Sequence, residues 1–130
     1  MTKDQRNLSF TGRIRSFRFA IAGIATMLRS QHNAWIHAVA TISVVGLGLF
    51  LGLSRFEWCW IVLAIVAVWT AEALNTALEF LTDVASPEFH PIAGNAKDVA
   101  AGAVLIAAAG AAVIGILVLG PHLLTLLDAP

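Results

Sequence analysis

Apolar and polar positions fall in long blocks along this chain. Phe10, Ile14, Phe17, Ile21, Ile24 and Leu28 follow one another at steps of four and three, the repeat of one face of an α-helix. Arg15, Arg18 and Arg29 lie mostly off that face. Segment 8–30 therefore predicts an amphipathic helix lying in a membrane interface, drawn to anionic headgroups. Three further blocks are apolar almost throughout: residues 35–53, 58–81 and 99–119. Each is long enough to cross a bilayer, which takes roughly 20 residues of helix. Between the first two, "SRFE" predicts a tight turn. Between the last two, "DVASPEFHPIAGNAK" predicts a loop, being rich in Pro and Gly. The fold expected is all-α and membrane-embedded, a single domain of three transmembrane helices plus the interfacial helix.

Within the first span His37 is the only ionisable residue. The third span carries Ala103, Ala107, Ala111 and Gly115 at steps of four. Such a stripe lets helix backbones approach closely in lipid. Three helices bury little by themselves, so self-association is expected.

Composition agrees with the membrane class: 58% of residues are apolar and 12% charged, with a mean hydropathy of +0.82. Charge is unevenly spread. Lys3, Arg6, Arg13, Arg15, Arg18 and Arg29 crowd the N-terminal end, and Glu72, Glu79, Asp83, Glu88 and Asp98 the later half. The basic N-terminus argues for a cytoplasmic start, since Lys and Arg are retained on that side. Three spans then put the Arg55 turn outside, the Asp83–Lys97 loop inside and the C-terminus outside. The N-terminal end has no short apolar core with a small-residue cleavage site, so no secretory signal is expected. Cys59, the single cysteine, closes no intrachain disulfide and is read as packing.

The second span breaks its own pattern. At 100° per residue, Glu72, Asn75, Thr76, Glu79 and Asp83 project within about a 100° arc. The other faces carry Leu74, Ala77, Leu78, Phe80 and Leu81. Glu72 stands roughly 16 Å along the axis from Asp83. With Asp83 at the interface, Glu72 lies within the hydrocarbon layer, where an acid costs a few kcal/mol. Three readings are open: polar glue between helices, a proton or cation path, or a metal and phosphate site at the membrane surface. Carboxylates one turn apart with an amide between them can hold Mg²⁺ through oxygen.

The following loop separates the readings. Lys97 and Asp98 come directly after "PIAGN", next to the third span, and a lysine beside a helix N-terminus can grip phosphate. Glu88 and His90 can bond to a nucleotide's sugar or base. An ion path needs polar residues to continue outward, yet Trp58 to Ala71 offers only Cys59 and Thr70. The constellation favours phosphoryl transfer to a membrane-borne hydroxyl. The alternative is a small proton or cation transporter using the carboxylates. Nothing in the pattern points to nucleic acid, and neither G-x-x-x-x-G-K-[ST] nor the soluble-kinase signature set is present.

"EALNTALEFLTD" followed by "HPIAGNAKDVAAGAV" resembles the prokaryotic diacylglycerol kinase family, which includes the undecaprenol kinases. The likeness runs from "RSF" at Arg15 through the third span. It implies an ATP- and Mg²⁺-dependent lipid kinase of the bacterial inner membrane, a homotrimeric helix bundle with active sites shared between neighbouring subunits. By position it implies Glu72 as catalytic base with Asn75 beside it, and Glu79 as a metal-binding glutamate that also serves ATP. Lys97 and Asp98 match the ATP-contacting pair, Glu88 and His90 nucleotide-contacting loop positions, and Asp83 a further active-site acid. In one place the chain departs from the family pattern. A second metal-binding glutamate usually precedes the first span, but "RSQHNAWIH" has Gln31 there. Its carbonyl can ligate Mg²⁺ without bringing charge, and His32 is an alternative ligand. The family's early basic residue falls near Gly12 and Arg13, which assigns Arg13 to ATP. "SQHNAWIHA" and Glu57–Trp58 look closer to the undecaprenol-kinase branch, so undecaprenol is the favoured acceptor over diacylglycerol.

Overall fold

A computed structural model describes residues 10–128. Among the described residues four helices follow one another: α1 (Phe10–Ser30), α2 (His32–Leu51), α3 (Arg55–Ala85) and α4 (Pro91–Leu127). The described residues contain no strand. The described residues fall into two compact units, divided between His32 and Asn33.

The first unit is built on α1. Ile14, Phe17, Ile21 and Ile24 lie exposed along it, and Arg13, Arg15, Arg18 and Arg29 are exposed too. The hydroxyls of Ser16 and Thr26 donate to the carbonyls of Gly12 and Ala22 one turn back, so neither competes for an external partner. The periodic stripe is therefore real, and an uncovered apolar row of this size is suited to a lipid surface.

In the second unit, α2, α3 and α4 are each long and apolar enough to cross a membrane. α3 has 31 residues and α4 has 37. They measure about 46 Å and 55 Å against roughly 30 Å of bilayer hydrocarbon, so parts of both project beyond it. α3 and α4 pack closely along each other. The α2 backbone stands further off and reaches them through side chains. Leu53, Ile61 and Leu119 form the buried centre, with Val44, Leu47, Trp58 and Ile65 around it. Most other large apolar side chains, among them Phe50, Leu105, Ile106, Ile116 and Leu117, are exposed. Cys59 is exposed as well, not packed as expected. Apolar surface on this scale is stable against lipid or neighbouring subunits, not water.

The turns follow from local chemistry. α2 ends in a left-handed residue, Gly52 at φ +69°. The Gly52 N–H donates to Leu49 O and the Leu53 N–H to Gly48 O, the bonding that closes a helix at glycine. α3 begins at once. The Ser54 N–H donates to Glu57 Oε2 at 2.7 Å and the Glu57 N–H to Ser54 Oγ at 3.4 Å, a reciprocal cap. The turn thus occupies 52–54, and most of "SRFE" is already helix. Glu57 Oε1 also meets His122 Nε2 of α4 at 2.7 Å, pinning the far end of α4 to the start of α3.

Two helices outrun the blocks expected for them. α4 starts at Pro91, well before residue 99, because Pro91 sits in the first turn, where its missing N–H costs nothing. His90 Nδ1 accepts the Ile92 N–H at 3.3 Å and caps the helix. The connection shrinks to residues 86–90. At its other end α4 runs through Pro121 to Leu127. Proline removes one backbone donor there, while His122 in the same turn is held by Glu57.

Gly48 makes a close approach. A Cβ placed there would meet Leu53 Cδ1 at 2.9 Å and Trp58 Cη2 at 3.0 Å. Leucine yields more easily than the rigid indole. Gly48→Val should destabilise the chain by about 1–3 kcal/mol through overpacking, read as a lower Tm in detergent. Gly46, with open space around it, takes Val as the control. Equal Tm values for the two variants would contradict the packing described.

Candidate active site

Helical spacing sets the polar wall of α3. Glu72, Asn75 and Thr76 are buried, with Glu72 at 0% exposure. Glu79 is half-buried and Asp83 exposed, while Leu74, Leu78, Phe80 and Leu81 on the other faces are exposed. The wall thus grades from a fully enclosed acid to an open one along about three turns.

Several bonds along the wall are local. Asn75 Nδ2 donates to Glu79 Oε1 at 3.1 Å. The Thr76 hydroxyl donates to the Glu72 carbonyl at 2.9 Å, and that of Thr82 to Leu78 O and Glu79 O. The Glu72 carboxylate is different. Neither of its oxygens has a hydrogen-bond partner, and Asn75 Oδ1 and His37 Nε2 are also buried without one. Buried polar atoms in native folds are nearly always bonded. A fully enclosed acid without a partner is the exception that singles Glu72 out as a functional candidate.

His37 of α2 faces this acid, its Nε2 3.8 Å from Glu72 Oε2 and its side chain 14% exposed. The imidazole packs edge-on against Trp69, centroids 6.5 Å apart. Trp69 Nε1 donates to Thr41 Oγ1 at 3.0 Å, bridging α3 to α2. His37 was missed in the sequence as a site residue. The available signal was its isolation, since a lone ionisable side chain in a spanning segment is a functional candidate by default.

At the lower end, Lys97 Nζ pairs with Asp83 Oδ1 and joins α4 to α3. A cleft of about 190 Å³ lies there, lined by Asp83, Glu88, His90 and Lys97 together with Thr82, Ser86, Phe89, Ala93 and Gly94. Four sequence-predicted residues therefore meet in one concavity next to the first turns of α4. His90 also serves as the helix cap. Glu88 is exposed, and its carbonyl accepts from Ser86 Oγ. Asp98 is exposed on α4 and does not line the cleft. Arg13 and Gln31 belong to the first unit. There Arg13 is exposed, and Gln31, half-buried between α1 and α2, donates its backbone N–H to Met27 O at 2.9 Å.

A larger cleft of about 470 Å³ runs between α2, α3 and α4, with His37 near one end and Leu119 and Leu123 near the other. Beyond His37 and Thr41 its walls are Ala, Val, Ile, Leu and Gly. The described residues contain no group of three or more His, Cys, Asp or Glu able to hold a metal. Asn75 Oδ1 and the Glu79 carboxylate do give two hard oxygens one turn apart. That suits Mg²⁺, which takes one or two carboxylates and fills its shell with water and phosphate.

Helices long and apolar enough to span a membrane, an enclosed acid, and a cleft lined by Lys97, His90, Asp83 and Glu88 at the other end of the same polar wall mark a membrane protein with a polar site on α3. Residues 18–119 match the prokaryotic diacylglycerol kinase family. The chain is similar to an undecaprenol kinase of Bacillus subtilis, 38% identical over 122 residues, covering 94% of this chain and 98% of that one. It is also 38% identical over 113 residues to a diacylglycerol kinase of Synechocystis, covering 86% and 65%. With a diacylglycerol kinase of Escherichia coli it shares 29% over 96 residues, covering 68% and 79%. The chain belongs to the prokaryotic diacylglycerol kinase family. It is a membrane lipid kinase with ATP as phosphate donor.

Proposed function

We propose that the chain transfers the γ-phosphate of ATP to the hydroxyl of undecaprenol in preference to diacylglycerol, at the cytoplasmic face of a bacterial inner membrane. The observation that carries the reaction is the Glu72 carboxylate, wholly buried, unbonded at both oxygens and on the same helix wall as Asn75 and Glu79. Glu72 takes the proton as the acceptor oxygen bonds to the γ-phosphorus, and ADP leaves with the electron pair of the broken O–P bond. Glu79 and Asn75 Oδ1 would hold Mg²⁺, with Gln31 as a further ligand from the family pattern, and the ion would supply charge neutralisation on the phosphates. Lys97, at the cleft with Glu88 and His90, grips the nucleotide, with Asp98 and Arg13 as further contacts from the family pattern. Asp83 positions Lys97 through their ion pair.

Lipid preference is supported by the undecaprenol kinase relative, which aligns over nearly the whole of both chains. The basic N-terminal end supports a cytoplasmic start, and the exposed arginine-flanked stripe of α1 supports its lying in the interface. The exposed Phe50, Leu105, Ile106, Ile116 and Leu117 support burial against neighbouring subunits, with a homotrimer sharing its sites as the assembly. Against an ion path stands the aliphatic lining of the larger cleft beyond His37 and Thr41.

Radiolabelled ATP given to the purified protein with either lipid in mixed micelles tests the reading. Label should enter undecaprenol faster, and only with Mg²⁺. Faster labelling of diacylglycerol would overturn the preference, and labelling of neither would overturn the acceptor class. Gln31 allows a separate check. Gln31→Glu, which restores the family's carboxylate, should lower the Mg²⁺ concentration for half-maximal activity by roughly 10-fold. An unchanged requirement would remove Gln31 from the metal site.

A further inference from the structure

We infer that His37 is a positioning residue for Glu72, holding one carboxylate oxygen through Nε2–H so that the other faces the acceptor hydroxyl. The inference rests on the reading of Glu72 as base. Three observations carry it. Glu72 is 0% exposed and gets no bond from its own helix: the Asn75 amide nitrogen goes to Glu79, and the Thr76 hydroxyl to the backbone. His37 lies opposite, its Nε2 3.8 Å from Glu72 Oε2, and that nitrogen is itself buried and without a hydrogen bond. The facing is also fixed from outside the pair. The Trp69–Thr41 bond, one turn away on both helices, locks the register of α2 against α3, and the Trp69 indole packs the imidazole edge-on.

A glutamate carboxyl rotates easily, because its last torsion is broad and two-fold. In a dry site that freedom spreads the base over orientations that miss the hydroxyl. A donor on one oxygen removes it. Closing 3.8 Å to about 2.9 Å is within reach of small imidazole and carboxyl rotations. Misplacement of a reacting group by about 1 Å can cost on the order of 10²-fold in rate, and that is the scale expected on losing His37.

The test uses full-length protein in lipid-containing micelles and measures kcat, KM for ATP and for lipid, nucleotide affinity and Tm. His37→Leu should lower kcat roughly 10²-fold with KM for ATP within about twofold. His37→Gln, whose amide nitrogen reaches near the Nε2 position, should recover most of that loss. In a Glu72→Gln background, adding His37→Leu should cost nothing further. Wild-type kcat in His37→Leu would overturn the proposal. So would a His37→Gln as slow as His37→Leu with the same fall in Tm, because that is the signature of packing. If Glu72→Gln stays active, the base reading fails and the proposal with it. If Glu72→Gln is dead while His37→Leu is unimpaired, only the role of His37 falls.

Discussion

Glu72→Gln should lose at least roughly 10³-fold in kcat while nucleotide affinity stays within about twofold. The amide matches the carboxyl in shape, so the enclosed space around residue 72 remains filled. It cannot take a proton, so the acceptor hydroxyl keeps its own. The cleft with Lys97 lies about three turns away along α3 and should be undisturbed. The separation of turnover from binding is what distinguishes a base from polar glue between helices. Glue would lose stability, assembly and binding together. An ion path would leave lipid phosphorylation untouched. Stopped-flow chemistry and equilibrium nucleotide binding on the same preparation read both quantities.

Lys97→Ala should raise KM for ATP by roughly 10- to 100-fold, the usual loss when a charge-assisted bond to phosphate is removed. Its ammonium already meets Asp83 across the ends of α3 and α4. On the proposed reading, that acid keeps the lysine at the cleft when nucleotide binds. Asp83→Asn should therefore raise the same KM by less, because it loosens the lysine without deleting it. An Asp83→Asn effect larger than that of Lys97→Ala would put the acid itself on the nucleotide. Unchanged ATP kinetics in Lys97→Ala would move the donor site away from this cleft.

Much of the polar wall was legible in the sequence because one helix carries it. A 3.6-residue period turns the spacing of Glu72, Asn75, Glu79 and Asp83 into a shared face, and α3 has that face. The enclosed acid at one end and the open acid at the other follow from position along the helix, Asp83 standing near the end of α3. What crosses between helices was not legible. His37 and Glu72 are 35 positions apart by number, and no local pattern tells which way a lone histidine in an apolar run points. The Trp69–Thr41 bond that fixes its direction is equally remote in sequence. Composition misled at "DVASPEFHPIAGNAK", where Pro and Gly suggested a loop up to Lys97. Pro91 and His90 instead start and cap a helix, which is why Lys97 stands two turns into α4 and can meet Asp83. Ser54 and Glu57 carried a readable capping box, passed over in favour of a turn.

The most direct measurement is a structure of the protein in a bilayer with a non-hydrolysable ATP analogue, Mg²⁺ and a lipid alcohol bound. The account places the acceptor hydroxyl within about 2.6–3.2 Å of a Glu72 oxygen, with the terminal phosphate between that hydroxyl and Lys97. Glu72 turned toward acyl chains, with the hydroxyl bound elsewhere, would contradict it.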